Sequence, residues 1–255
     1  MSLDSTLKVI GKSLRMRGAW GTLVFAGGVA KDGVSQMMPA RRAAPRAARR
    51  ADEAFDEQFG TDTAGRISTS KLDIESSDWV FGHGYQAASA EWLREVIGRL
   101  GIRHADYHFF DLGCGKARPV LVASDFPFAR VVGVEWSPEL VEVARKNLEV
   151  YAHPAQGCRD IEVRRGDATT TALPAAPLVI YMYNPFTSEI MSRCIENIER
   201  RVEGGGGPVV VLYANPLHLD LWTASPAFRL LHTEEDLAVL VDHGHADGFP
   251  WRADE

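Results

Sequence analysis

Phe109-Phe110-Asp111-Leu112-Gly113-Cys114-Gly115-Lys116-Ala117-Arg118 is the stretch whose reading decides the fold. Residues 107–112 read as a buried strand and residues 119–124 as the start of a helix. Glycines at the hand-over let the backbone turn sharply and approach a ligand closely, with the helix N-terminus facing the same spot. The alternation repeats downstream. Residues 130–135 form a second strand rich in valine, and Ser137-Pro138-Glu139-Leu140 opens a helix with Ser137 as N-cap and Pro138 at its first position. That helix carries Leu140, Val141, Val143, Ala144 and Leu148. Residues 161–165 and 178–183 are a third and a fourth strand. Residues 187–202 are a helix with Ile190, Cys194, Ile195 and Ile198 on one face, broken by the glycines at 204–207. Residues 208–213 are a fifth, continuously apolar strand. Residues 228–232 and 237–241 are two more, and the short acidic turn between them demands antiparallel pairing.

Apolar strands joined by helices indicate a parallel sheet covered on both faces. The expected fold is therefore α/β: a doubly wound, mostly parallel seven-stranded sheet with helices on both faces and a C-terminal antiparallel hairpin strand. Upstream, Ser89 caps an amphipathic helix in which Trp92, Val96, Ile97 and Leu100 fall at helical spacing, and Gly101 stops it. Residues 51–88 are polar and acidic apart from a few aromatics, and are assigned to the same domain, 51–255, as an N-terminal cap segment.

Charge sets the remainder apart. Residues 1–50 hold ten Lys/Arg against Asp4 and Asp32, a net +8, so the rest of the chain carries −14 of the total −6. This marks a basic, loosely docked arm on an acidic domain. A solvated tail is the plainer reading of the run from Arg41 to Arg50; contact with nucleic acid phosphates is the sharper one. No aromatic residue interleaves the run to stack on bases, so nucleic acid is possible but not favoured. The apolar stretch at residues 19–30 falls short of the roughly 20 residues a membrane span needs. Cys114, Cys158 and Cys194 are odd in number and lack ligand spacing, which fits a reducing, cytoplasmic location and argues against a disulfide framework or a zinc cluster.

Three positions carry chemistry together. The first is the glycine turn with Asp111 before it. The second is Glu135, which closes the second strand about twenty residues on, where a carboxylate can accept hydrogen bonds from both ribose hydroxyls. The third is Gly166-Asp167-Ala168 after the third strand, where Asp167 can accept an adenine amino group. A nicotinamide dinucleotide wants a third glycine three residues after the second. Arg118 stands there instead, and Asp111 suits a bound amino-acid moiety better than a pyrophosphate.

Asp111-Leu112-Gly113-Cys114-Gly115, Glu135 and Gly166-Asp167-Ala168 together resemble the first three motifs of the class I, seven-stranded S-adenosylmethionine-dependent methyltransferases, over roughly residues 92–241. The resemblance implies S-adenosylmethionine as cofactor. It places Asp111, Gly113, Cys114 and Gly115 around the methionine part, Glu135 with Trp136 at the ribose, and Asp167 with Ala168 at the adenine. Ala117 stands where that family usually has glycine. Phe59-Gly60-Thr61-Asp62-Thr63, His83-Gly84-Tyr85 and Tyr183-Asn184-Pro185-Phe186 look like those of a group of bacterial methyltransferases, in which His83 and Tyr85 would help cover the cofactor. Tyr183-Asn184-Pro185-Phe186 partly resembles the Asn-Pro-Pro-aromatic motif of enzymes that methylate planar or amide nitrogens. That likeness assigns Asn184 to orienting the acceptor and binding near the cofactor, with Tyr183 and Phe186 shaping the pocket; the second proline is missing.

The function expected is thus a methyltransferase, with N-methylation of a protein side chain or small molecule as the first reading. A non-catalytic cofactor-binding regulatory module and a nucleic-acid methyltransferase are the alternatives, and a nicotinamide oxidoreductase is a minor fourth. His218, after the fifth strand, is a conceivable general base, although lone histidines are more often packing or surface residues. His243 and His245 beside Asp242 and Asp247 read as a solvated turn in preference to a metal site, so no metal is expected.

Overall fold

The computed structural model describes residues 46–67, 85–86, 89–183 and 186–253, with side chains at 51–65, 89–183 and 186–253. The elements in chain order are α1 (Arg46–Phe59), β1 (Arg66–Ile67), β2 (Tyr85–Gln86), α2 (Ala90–Gly98), β3 (His108–Leu112), α3 (Arg118–Ser124), β4 (Arg130–Glu135) and α4 (Pro138–Val150). They continue as β5 (Ile161–Arg165), β6 (Leu178–Tyr183), α5 (Ser188–Glu203), β7 (Val209–Ala214), α6 (Leu219–Ala224), β8 (Phe228–Thr233) and β9 (Leu237–Asp242).

Seven strands form one sheet in the order β5-β4-β3-β6-β7-β9-β8. Neighbours from β5 to β7 pair in parallel, whereas β9 runs antiparallel to both β7 and β8. The C-terminal hairpin folds back before it docks: its second strand inserts next to β7, and its first takes the edge. The chain moves outward from β3 to β5 and returns to β6 on the other side of β3. The order therefore reverses at β3, and ligands of such sheets bind beyond the carboxyl ends of the strands at that switch point.

The period-2 alternation of the strands divides the core into two layers. On β6, Val179 and Tyr181 join α2, α3 and α4 on one face, while Leu178, Ile180 and Met182 meet α5 on the other. The expected apolar face of α5, Ile190, Cys194, Ile195 and Ile198, is buried in that second layer. Predicted caps hold: Ser137 Oγ accepts from Leu140 N–H at 3.3 Å, and Ser89 Oγ from Trp92 N–H at 3.4 Å. Both outer strands carry ion pairs typical of protected edges, Arg130 with Glu162 beside β5 and Arg229 with Asp247 beside β8.

Two helices had no clear signal in the sequence. One is the short α6. The other, α1, begins inside the Arg run, so the boundary drawn at residue 50 falls within a helix. Its anchor is aromatic: Phe55 is buried, and Phe59 lies 4.8 Å from the Tyr151 ring at the end of α4. Residues 1–45, which include most of the arm and the apolar stretch at 19–30, lie outside the described residues. Among the described residues, no helix is long and apolar enough to cross a membrane.

Candidate active site

The carboxyl ends of β3, β4 and β5 lie side by side, and each presents one of the predicted acids. Between β3 and α3 the backbone enters the left-handed region at Gly113 (φ 85°), Gly115 (φ 55°) and Ala117 (φ 72°). Glycine does this freely, whereas alanine at Ala117 costs about 1 kcal/mol. The loop is therefore held from outside. The N–H groups of Gly113 and Cys114 both donate to Val134 O, at 2.9 and 3.1 Å, and Gly115 N–H donates to Glu135 Oε2 at 2.9 Å. Gly133, at the centre of β4, lacks the side chain that would block Cys114: a Cβ there would stand 2.7 Å from Cys114 Sγ.

Glu135 receives a second backbone donor, Ser137 N–H to Oε1 at 2.8 Å. Both carboxylate oxygens are thus aimed by the main chain and each retains lone pairs for further donors, as a ribose diol requires. Burial raises its pKa against the opposing pull of these N–H bonds.

Asp111 sits deeper, only 1% exposed, and its Oδ2 has no hydrogen-bond partner among the described residues. Burial pushes its carboxyl well above the usual range, and the neighbouring charge of Glu135 pushes it further. A buried acid with an unmet oxygen asks for a cation, and an amino-acid ammonium supplies one. The Cys114 thiol between the two acids is driven up by burial and by both carboxylates, and so stays neutral.

Asp167 follows β5 and accepts through Oδ1 from Thr169 N–H at 2.8 Å and Thr169 Oγ at 2.7 Å. These bonds fix the turn and point the carboxylate. Asn197 on α5 steadies the same turn by donating to Thr171 O at 3.0 Å, and Ala168 is buried in the second core layer. Trp136 is half-buried beside Glu135.

Sequence reasoning missed a set of residues on the other side of the glycine loop. Lys116 Nζ donates to Asp62 Oδ1 at 2.6 Å and to Ala64 O at 3.1 Å. Arg118, fully buried, donates to Thr63 Oγ at 2.8 Å, pairs with Asp52, and stands 5.0 Å from the Phe55 ring. Asn147 on α4 joins Lys116 O to the backbone of Asp62. A signal existed, since Phe59-Gly60-Thr61-Asp62-Thr63 stood out as a motif, but nothing in the sequence linked it to the loop.

This engagement also bears on the choice of cofactor. Lys116 and Arg118, in and just after the loop, are engaged by acids, a hydroxyl and a carbonyl of residues 52–64, while Gly115 donates to Glu135, and Asp111 and Asp167 stand at the neighbouring strand ends. That surface suits a cationic ligand and opposes a pyrophosphate.

The predicted transfer residues are placed unevenly. Tyr183 ends β6 and packs against the first core layer, whereas Phe186 packs against the second. Asn184 and His83 lie outside the described residues; Tyr85 lies in β2, and its side chain is outside them too. His218 precedes α6, is 9% exposed, and its Nε2 has no hydrogen-bond partner among the described residues. Asp242 holds Val209 N–H and His245, and Asp247 pairs with Arg229. Among the described residues, no group of three or more His, Cys, Asp or Glu side chains is arranged to hold a metal ion.

Comparison with known proteins agrees with this geometry. Residues 109–206, which contain all three acid-bearing strand ends, match the family model of a methyltransferase domain. No curated protein matches the chain. Among solved structures it is similar to a ribosomal protein L11 methylase from Lactobacillus delbrueckii subsp. bulgaricus, with 13% identity, 69% of this chain and 97% of that one covered, and TM-score 0.45. It is similar to an RNA methyltransferase from Salinibacter ruber, with 21% identity, 66% and 97% covered, and TM-score 0.40. It is also similar to the glycopeptide N-methyltransferase MtfA, with 18% identity, 62% and 67% covered, and TM-score 0.40. These structural likenesses are distant, and the identification rests on the family match: residues 109–206 are similar to a methyltransferase domain.

Proposed function

We propose that the chain catalyses methylation of a nitrogen atom in a protein side chain or a small molecule. The observation that carries the cofactor half of this reading is the row of acids at three consecutive strand ends, with the unmet Oδ2 of buried Asp111 at its centre. Asp111 and the Gly113–Gly115 loop would hold the methionine part, Glu135 with Trp136 the ribose, and Asp167 with Ala168 the adenine. Tyr85, close in sequence to the sheet, is assigned to covering it. S-adenosylmethionine supplies the methyl on a sulfonium, which is already a good leaving group.

What remains for the protein is alignment and exclusion of water, and orientation of that kind contributes at most roughly 7–11 kcal/mol. Asn184, with main-chain carbonyls at the end of β6, would accept the hydrogens of the target nitrogen. Tyr183 and Phe186 would wall the acceptor. Their packing against opposite faces of the sheet is consistent with the end of β6 lying between two walls. The buried thiols of Cys114, Cys158 and Cys194 support a reducing compartment, and we assign the protein to the cytoplasm.

The test is transfer of radiolabelled methyl from S-adenosylmethionine into cell extract fractionated into protein, RNA and small molecules. Label in the protein or small-molecule fraction, lost with Asn184→Ala while S-adenosylhomocysteine still binds, supports the proposal. Label in RNA alone, abolished by removing residues 1–45, which leaves α1 whole, would move the acceptor to nucleic acid. Cofactor binding with no label in any fraction would mean a non-catalytic module.

A further inference from the structure

We infer that residues 52–64 are a positioning element of the cofactor site, clamped to the glycine loop by Lys116, Arg118 and Asn147, so that cofactor affinity depends on groups outside the sheet and its strand-end loops. This rests on the cofactor reading proposed above.

A lysine and an arginine beside a glycine turn ordinarily reach solvent. Here Lys116 is 7% exposed and Arg118 is fully buried. Both reach the segment that precedes the sheet. That segment is built to receive them: Asp56 on α1 accepts from Thr61 Oγ at 2.7 Å, Thr63 Oγ at 2.6 Å and Ala64 N–H at 2.6 Å. Burial opposes the Asp56 charge, but bonds from Thr63, Thr61 and Ala64 outweigh it and hold its pKa below the usual value. The resulting turn presents Asp62 to Lys116 and Thr63 to Arg118, while Asp52 closes on the guanidinium from the preceding turns of α1.

The clamp also reaches the main chain. Asn147 Nδ2 donates to Lys116 O at 2.9 Å and to Asp62 O at 3.1 Å, while its Oδ1 accepts Asp62 N–H at 2.8 Å. One buried amide thus joins the backbone of the loop to the backbone of the segment. Ala117, the residue with an unfavourable left-handed φ, lies between Lys116 and Arg118. Undocking 52–64 would break the Lys116–Asp62 and Arg118–Asp52 ion pairs and would release the restraint on that residue. Docking of the segment and cofactor binding are therefore linked, and each must favour the other by the same factor.

The experiment is calorimetric titration of the full chain with S-adenosylhomocysteine, for the parent, Lys116→Met and Asp62→Asn. Glu234→Gln, which loosens the Arg99 ion pair far from the loop, is the control. The expected result is roughly 3- to 30-fold weaker binding in the first two variants. Ligand-free melting curves should show both clamp variants fully folded at the titration temperature, so that the loss is one of affinity and not of folded fraction, and the affinity of Glu234→Gln should match the parent. Hydrogen exchange in residues 52–64 of the parent should slow on adding S-adenosylhomocysteine. Affinity unchanged in both clamp variants, or lost only in step with their folded fraction, would overturn the inference. A parent chain that does not bind would overturn the cofactor reading along with it.

Discussion

Replacing Gly133 with alanine puts a methyl group where the structure has least room for it. Gly133 sits in mid-β4, fixed by pairing with Asp111 on β3 and Val163 on β5, so the strand cannot slide aside. The new Cβ would meet Cys114 Sγ at 2.7 Å, Val120 Cγ2 at 2.9 Å and Cys114 Cβ at 3.1 Å. Ordinary carbon contacts are about 3.5–4.0 Å. Cys114 is 2% exposed and Val120 fully buried, so neither has a cheap way out. Overpacking of this sort costs about 1–3 kcal/mol. Removing a glycine from a strand returns about 0.5–1 kcal/mol. The net expectation is a loss of about 1–2 kcal/mol, or a fall in melting temperature of roughly 2–8 °C for a chain of this size. Because Cys114 lies between the two turn glycines, affinity for S-adenosylhomocysteine should fall as well. The assay is urea unfolding of Gly133→Ala, Cys114→Ala and the double variant. Deleting Sγ removes the nearest clash, so the double variant should be more stable than the sum of the singles by about 1 kcal/mol. Gly166→Ala, whose Cβ meets only Val134 Cγ1 at 3.4 Å, is the tolerated comparison. Gly133→Ala as stable as the parent, or equally costly with and without Cys114, would refute the reasoning.

Asp111 should make cofactor binding depend on pH. Its folded-state pKa is raised, so the folded state holds the proton more tightly; the stability this confers is present at low pH and declines as pH climbs from about 4 to the raised value. Ammonium binding needs the ionised acid, so S-adenosylhomocysteine affinity should rise with pH toward that value by at most about tenfold per unit, with proton release. Titrations in buffers of differing ionisation heat check this, and Asp111→Asn should flatten the profile. Arg201 donates to the carbonyls of Pro174, Ala175, Ala176 and Gly207, and so joins the amino ends of β6 and β7. Arg201→Lys cannot satisfy that set and should lose about 1–3 kcal/mol in urea unfolding with cofactor affinity unchanged.

The sheet was legible because its strands bury both faces and so read as apolar runs, and the helices α4 and α5 because their caps and faces obey local rules. That Asp111, Glu135 and Asp167 stand at or just after strand ends was legible for a related reason, since the strand boundaries themselves fix it. The insertion of β9 beside β7 was not legible, since a hairpin signal fixes pairing between its own strands and leaves open which of them docks. α1 escaped because its only large apolar residues, Phe55 and Phe59, are held by Arg118 and Tyr151, which are distant in sequence. The clamp escaped for the same reason: Lys116 and Arg118 look like surface charges until their acids, more than fifty residues earlier, are seen beside them.

The most direct test of the account is calorimetric titration of the chain with S-adenosylmethionine, S-adenosylhomocysteine and NAD, alongside Glu135→Ala. The account predicts binding of the first two at about micromolar concentration, lost in the variant, and no binding of NAD. Binding of NAD in their place, or of S-adenosylmethionine undiminished by Glu135→Ala, would contradict it.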